Sequence, residues 1–205
     1  MPRDDKVIRV RTVHGAPLVV LPGVFDGARL RTGAFLADTL NAVTCPPGTR
    51  ALDLGTGSGI GAMVAARYGA RVIATDINPE AVRCAKINAL AHHLEDRIET
   101  RLGDLFEPVR GERFDLILFN PPYFRGRPRD LPDHAWRSPD AFDRFVRELP
   151  AHLTPGGRAL VVLSSDGDIA PALLSATHLA VRVLRERDLF NEILTVYDVR
   201  AVSAA

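Results

Sequence analysis

The chain has 205 residues, 46% of them apolar, and a net charge of +1, which is the size and composition of one ordinary globular domain. Near-neutrality gives no global attraction to nucleic acid or acidic membranes, and no apolar run reaches the length of a membrane span. The opening Met1-Pro-Arg-Asp-Asp-Lys6 has no signal-peptide apolar core, so a cytoplasmic location with no membrane partner is expected. Two cysteines, Cys45 and Cys84, make neither a disulfide framework nor a metal spacing, and no metal is expected.

In chain order, Val7–Val13 and Pro17–Leu21 read as short strands joined by a His14-Gly15 turn. Arg31 to Val43 carries Phe35, Leu36, Leu40 and Val43 near helical spacing and stops at Cys45-Pro-Pro-Gly48. A strict alternation follows: strand Ala51–Leu54, helix Ile60–Tyr68 ending at Gly69, strand Val72–Thr75. Asn78-Pro79-Glu80 then opens a helix, with an N-cap asparagine, a proline at the first helical position and an acid at the positive end of the dipole. Ile98–Arg101 and Phe114–Phe119 are the third and fourth strands. Ser138-Pro139 repeats the cap-plus-proline start, and Phe142, Phe145, Val146 and Leu149 share one face. Gly157–Leu163 is a fifth strand and Ile169–Thr177 a short helix. Ala180–Leu184 and Ile193–Val199 close the chain around Asp188–Asn191.

Strands alternating with helices predict a parallel sheet covered on both faces. The last two strands are too close for a helical crossover and must pair antiparallel. The expected fold is therefore α/β: a doubly wound, mainly parallel seven-stranded sheet with a C-terminal antiparallel hairpin. It forms a single domain over 1–205, with an N-terminal β extension at 1–30 and the catalytic core at 31–205. Ligands in such sheets bind past the carboxyl ends of the strands, where the strand order reverses. Gly55, Asp76, Asp104 and Asn120 all lie just past strand ends.

Asp53-Leu-Gly-Thr-Gly-Ser-Gly59 leads from a strand into a helix, and Gly55, Gly57 and Gly59 let the backbone approach a ligand closely. The stretch Gly57 to Ala62 also satisfies the dinucleotide pattern, with Asp76 at ribose distance, so Asp76 serves either cofactor class. Asp53 separates them. A carboxylate beside the loop repels a pyrophosphate but suits S-adenosylmethionine, which carries an ammonium and a sulfonium. Asp104 is expected to bond the adenine amino group, with Leu105 and Ile77 walling the ring. Alone, Asp104 reads equally as a turn residue.

Asn120-Pro-Pro-Tyr123 ends the fourth strand. Methylating a planar –NH2 group requires its delocalised lone pair to be aligned with the methyl. The side-chain carbonyl of Asn120 and the main-chain carbonyl of Pro121 would accept its two N–H bonds. Pro121 and Pro122 hold that backbone rigid, and Tyr123 would offer a flat face to the acceptor. Without the upstream glycine loop the same residues would read as a proline turn ending a strand.

The glycine loop, Asp76, Gly103-Asp-Leu-Phe106 and Asn-Pro-Pro-Tyr123 resemble the HemK-type protein-glutamine N5-methyltransferases, class I S-adenosylmethionine-dependent enzymes, from about Gly23 to Val199. The resemblance implies methylation of a glutamine amide in the Gly-Gly-Gln loop of translation release factors. The chain is similar to the compact single-domain branch, including Asp133-His-Ala-Trp136 and Asn191-Glu-Ile-Leu-Thr195, and leaves no room for a separate N-terminal helical domain. A small activating partner is a further possibility. Thr32 is the candidate for a hydroxyl that closes over the cofactor. Arginines in Asp26-Gly-Ala-Arg-Leu-Arg-Thr-Gly33 replace expected acids, and Arg137-Ser-Pro139 replaces a glycine pair. Both changes fall beside the substrate opening.

Alternatives remain open. The same turn serves an exocyclic amine of a nucleobase or a small metabolite, and a nicotinamide oxidoreductase or a silent binding module are more distant readings. Arg125, Arg127, Arg129 and Arg137 form either a solvated loop or an anion-contacting lid. His92-His93 suits a helix C-terminus. Trp136 lines the substrate mouth or packs on the lid.

Overall fold

The computed structural model describes residues 7–27, 29, 31–41 and 44–202. Strands β1 (Arg9–Val13) and β2 (Ala16–Val20) form the expected hairpin. His14 and Gly15 at its turn take φ of 48° and 76°, the left-handed pair that matches the twist of the flanking strands.

The main sheet has the order β10-β11-β9-β6-β3-β4-β5. Strands β3 (Arg50–Leu54), β4 (Arg71–Asp76), β5 (Ile98–Leu102), β6 (Phe114–Phe119) and β9 (Leu153–Ser164) are parallel. β11 (Ile193–Ala201) lies antiparallel between β9 and β10 (Leu179–Asp188). The last strand is thus slotted inside its predecessor, and β10 forms the edge.

Helices α1 (Thr32–Ala37), α2 (Ile60–Arg67) and α3 (Pro79–Ala91) cover one face, and α4 (Ala141–His152) and α5 (Ala170–Leu174) the other. Alternation within the strands supplies both cores. Ala51, Leu116 and Leu118 enter the first cluster, whereas Leu52, Leu54, Ile117 and Phe119 enter the second. Strands buried on both faces read as continuous apolar runs, which is why they were visible. The N-terminal hairpin joins the first cluster through Leu18 and Val20. The side-chain amide of Asn88, on α3 and fully buried, accepts from the Val19 N–H at 2.8 Å and donates to the Val19 carbonyl at 2.7 Å. Losing that pairing would strand buried polar groups at about 1–3 kcal/mol.

Several boundaries depart from expectation for local reasons. The first helix ends at Ala37, not near Val43 (itself outside the described residues), because Thr39 Oγ1 donates to the Leu36 carbonyl at 2.6 Å and Asn41 and Thr44 bond each other's backbone. Such short polar side chains compete with the helix ladder. α4 starts at Ala141 because Ser138 Oγ, accepting the Ala141 N–H at 3.1 Å, builds a turn instead of a cap. Ser138 belongs to a two-residue parallel pairing of β7 (Phe124–Arg125) with β8 (Arg137–Ser138). The last two strands run longer than their apolar cores.

Candidate active site

Strand order reverses between β3 and β6. Leu54 pairs with Thr75 on one side and with Phe119 on the other. The next residues, Gly55, Asp76 and Asn120, therefore leave three adjacent strands abreast. A cavity of about 300 Å³ opens there, and those three line it together with Asp53, Gly57, Ile77, Asp104, Leu105 and Pro122.

The glycine loop is held from both sides. Asp76 accepts the Gly57 N–H and the Asn78 N–H, each at 2.9 Å, and burial raises its pKa. Asp53 accepts Thr56 Oγ1 at 2.6 Å and the Ala62 N–H at 2.8 Å. Burial dominates those two bonds and pushes its carboxyl up to about 7. Gly59, the N-cap of α2 with φ 85°, does not line the cavity. A Cβ there would stand 3.0 Å from the Ala85 Cα, so its place is helix packing. Gly61 matters more than its sequence position suggests, since a Cβ on it would come within 2.7 Å of Asp53 Oδ1.

On the adenine side, Asp104 Oδ2 is bound by Arg144 at 2.7 Å, and Leu105 holds a left-handed φ of 46°, a strained backbone typical of ligand sites. Arg144, one turn into α4, had no signal in the sequence beyond its charge. Nor had Ser58 and Thr75, cavity-lining residues whose buried hydroxyls have no protein partner. His134 also lines the cavity, and its charge favours the ionised form of Asp76.

Three expected roles shift. Thr32 and Tyr123 do not line the cavity; they are 3% and 6% exposed. Thr32 Oγ1 accepts Asn120 Nδ2 at 3.2 Å, and Tyr123 donates its hydroxyl to Asn120 Oδ1. The Tyr123 ring packs in the second core cluster, so it offers no open face to an acceptor. Pro121 is buried beneath the turn. Third, the arginine loop is largely internally paired. Arg125 binds Asp143, and Arg129 and Arg137 both bind the buried Asp133, whose carboxyl they hold well below the usual range. Arg127 is exposed. Trp136 packs edge-on against Phe25 with ring centroids 5.2 Å apart, which joins this loop to the N-terminal segment across the cavity. In that segment Asp26 accepts Arg11 Nε at 2.9 Å and the Arg29 N–H at 3.1 Å.

The cavity suits a cationic nucleoside. Its orphaned hydroxyls and the remaining lone pairs of two carboxylates are acceptors for ribose and ammonium, while Asp53 and Asp76 beneath the loop oppose a pyrophosphate. Among the described residues no helix is long and apolar enough to cross a membrane.

The release factor glutamine methyltransferase of Cereibacter sphaeroides is 39% identical over 166 residues, covering 73% of this chain and 59% of that protein. The ribosomal RNA small subunit methyltransferase C of Alcanivorax borkumensis is 32% identical over 140 residues, covering 68% of this chain and 40% of that protein. In fold, the chain is similar to the T. thermophilus 16S rRNA N2 G1207 methyltransferase in complex with AdoMet and guanosine, with a TM-score of 0.70, 24% identity and coverage of 95% and 50%. The chain thus spans between 40% and 59% of the length of these relatives. Residues 15–193, which carry the cavity and the main sheet up to the start of β11, match the methyltransferase small domain, and the chain belongs to that family.

Proposed function

We propose that the chain is an S-adenosylmethionine-dependent N-methyltransferase whose acceptor is the side-chain amide of a glutamine in a protein. The observation that carries this reading is the alignment of Gly55, Asp76 and Asn120 on adjacent strand ends. It sets a planar-amide acceptor group beside a cavity suited to a cationic nucleoside.

When bound, S-adenosylmethionine supplies a sulfonium-borne methyl with a good leaving group. The remaining work falls to the chain. Asp53 and Asp76 put two carboxylates beside the positive ligand, and Asp76 keeps lone pairs for the ribose hydroxyls. The hydroxyls of Ser58 and Thr75 have no protein partner to give up for it. Asn120 Oδ1 and the Pro121 carbonyl accept the two N–H bonds of the acceptor, which favours pyramidal nitrogen and aims its lone pair. Two consecutive prolines fix φ and keep both acceptors in place. The amide nitrogen gains the methyl and loses one proton to water.

Glutamine is preferred because the relative named for glutamine methylation is 39% identical, against 32% for the one named for ribosomal RNA. The test is transfer of labelled methyl to a release factor carrying Gly-Gly-Gln. Label should enter protein and yield methylamine on acid hydrolysis. Label in RNA, with binding that weakens steeply with salt, would establish the nucleobase reading instead.

A further inference from the structure

Two hydrogen bonds hold the Asn120 side chain. Asn120 Nδ2 donates to Thr32 Oγ1 at 3.2 Å, and Tyr123 donates to Asn120 Oδ1. Asn120 and Tyr123 flank the two prolines that follow β6, and Thr32 is the first residue of α1. Thr32 and Tyr123 are buried, whereas Asn120 faces the cavity.

We propose that Tyr123 and Thr32 are positioning residues for methyl transfer, holding the Asn120 amide in the one orientation that presents its carbonyl oxygen to the acceptor nitrogen. This rests on the amide-methylation reading above. An asparagine amide has two nearly isosteric ends with opposite hydrogen-bonding sense. With the carbonyl toward the acceptor, Asn120 Oδ1 takes an N–H from it. Flipped by 180°, the same side chain would aim an NH2 at an NH2, and no productive contact forms.

Two hydroxyls can hold the amide in either orientation, because each hydroxyl can donate or accept. The phenol breaks the tie. Its proton is more acidic than that of threonine, and its oxygen lone pair is delocalised into the ring, so it donates well and accepts poorly. The strongest acceptor available to it is the amide oxygen. The aliphatic Thr32 hydroxyl is the better acceptor and takes the Asn120 N–H. Tyr123 uses one lone pair of Oδ1 and leaves the second for the acceptor N–H.

Two further features keep the amide held. The Tyr123 side chain is buried in the second core cluster, so a hydroxyl that lost its partner would be left unsatisfied. The Tyr123 carbonyl in turn accepts the Asp168 N–H at 3.0 Å, and a Cβ on Gly167 would sit 2.8 Å from that carbonyl. The loop after β9 thus clamps the turn from outside.

The test uses Tyr123→Phe, Thr32→Val and Thr32→Ser in the whole protein. Two readouts are taken: steady-state methylation of a Gly-Gly-Gln-bearing release factor, and the Asn120 side-chain amide resonances, assigned by their loss in Asn120→Asp. Tyr123→Phe should lower kcat about tenfold or more, with Kd for S-adenosylmethionine within twofold of wild type and the amide protons losing their slow exchange. Thr32→Val should do the same and Thr32→Ser should recover most of kcat, since only the serine restores the hydroxyl. Wild-type kcat with unchanged amide exchange in Tyr123→Phe would overturn the proposal. So would equal behaviour of Thr32→Val and Thr32→Ser. If the release factor is not methylated by wild type, the glutamine reading fails by itself, and protected amide resonances that are lost in Tyr123→Phe but kept in Thr32→Ser still decide whether the two hydroxyls hold the amide.

Discussion

Asp76, at the end of β4, accepts the main-chain N–H of Gly57 at 2.9 Å. The residue expected to bind ribose therefore also shapes the glycine loop on the neighbouring strand. Its other oxygen accepts the Asn78 N–H at the start of α3, so one carboxylate ties loop, strand and helix together while retaining lone pairs for a ligand. Replacing Asp76 with alanine should remove ribose bonds of about 1.5–3 kcal/mol each and loosen the loop. Calorimetry should show affinity for S-adenosylmethionine lowered at least a hundredfold. Unchanged affinity would place the ribose elsewhere.

Asn120→Ala separates chemistry from binding. Asn120 lines the cavity, and its amide is the proposed acceptor of the substrate N–H. The variant should fold and bind S-adenosylmethionine normally, yet lose roughly 10²–10³ in turnover, the cost typical of removing one preorganised electrostatic group. Near-normal turnover with a correctly folded variant would make the Asn-Pro-Pro-Tyr turn structural only.

What could be read in the sequence follows from the range of the interactions. The parallel strands were legible because burial on both faces leaves continuous apolar runs, and α3 because Asn78, Pro79 and Glu80 act within one turn. Gly55, Asp76 and Asn120 were legible because strand ends in such sheets converge on the switch point. The partners of those residues were not. That Tyr123 turns inward to Asn120, that Thr32 meets the same amide, and that Arg144 reaches Asp104 depend on contacts between residues 3, 88 and 40 positions apart. Charge alone likewise suggested an open arginine loop. Asp133, a single buried acid, draws in two of those arginines.

Asp133 is the anchor of that loop, and it makes a prediction distinct from the catalytic ones. Its side chain is 1% exposed and bound by Arg129 and Arg137. Asp133→Ala should free residues 125–137 to open, raising proteolytic cleavage there and weakening cofactor binding through the neighbouring His134 and Pro132, which line the cavity. The far core, around α2 and α3, should keep its hydrogen-exchange protection. Because the folded protein holds this carboxyl below its ordinary range, its stabilising contribution is present above about pH 4 and is lost as pH falls below that. Limited proteolysis along a descending pH series should therefore nick this loop before the core unfolds. Equal cleavage of variant and wild type would mean that the loop is held by its other contacts, among them Trp136 on Phe25 and Arg125 on Asp143.

Asp53 should make cofactor affinity depend on pH near neutrality. Burial raises its carboxyl to about 7 in the folded chain, against about 3.9 for an unperturbed aspartate. The folded state binds this proton more tightly than the unfolded one. The group's contribution to stability is thus full below about pH 4, declines as pH rises, and levels off above about 7. A sulfonium or ammonium in the cavity reverses the preference, because it favours the ionised form. Binding of S-adenosylmethionine at pH 6 should then release a proton, and affinity should rise between pH 6 and pH 8. Titrations in two buffers of different ionisation enthalpy would read that release directly. In Asp53→Asn the release should fall and affinity should be weaker and vary less across the same range, with the fold kept by the remaining carbonyl acceptor for Thr56 and Ala62. A wild-type protein that binds equally tightly at pH 6 and pH 8 without proton release would show that Asp53 braces the N-terminus of α2 without sensing the charge of the ligand.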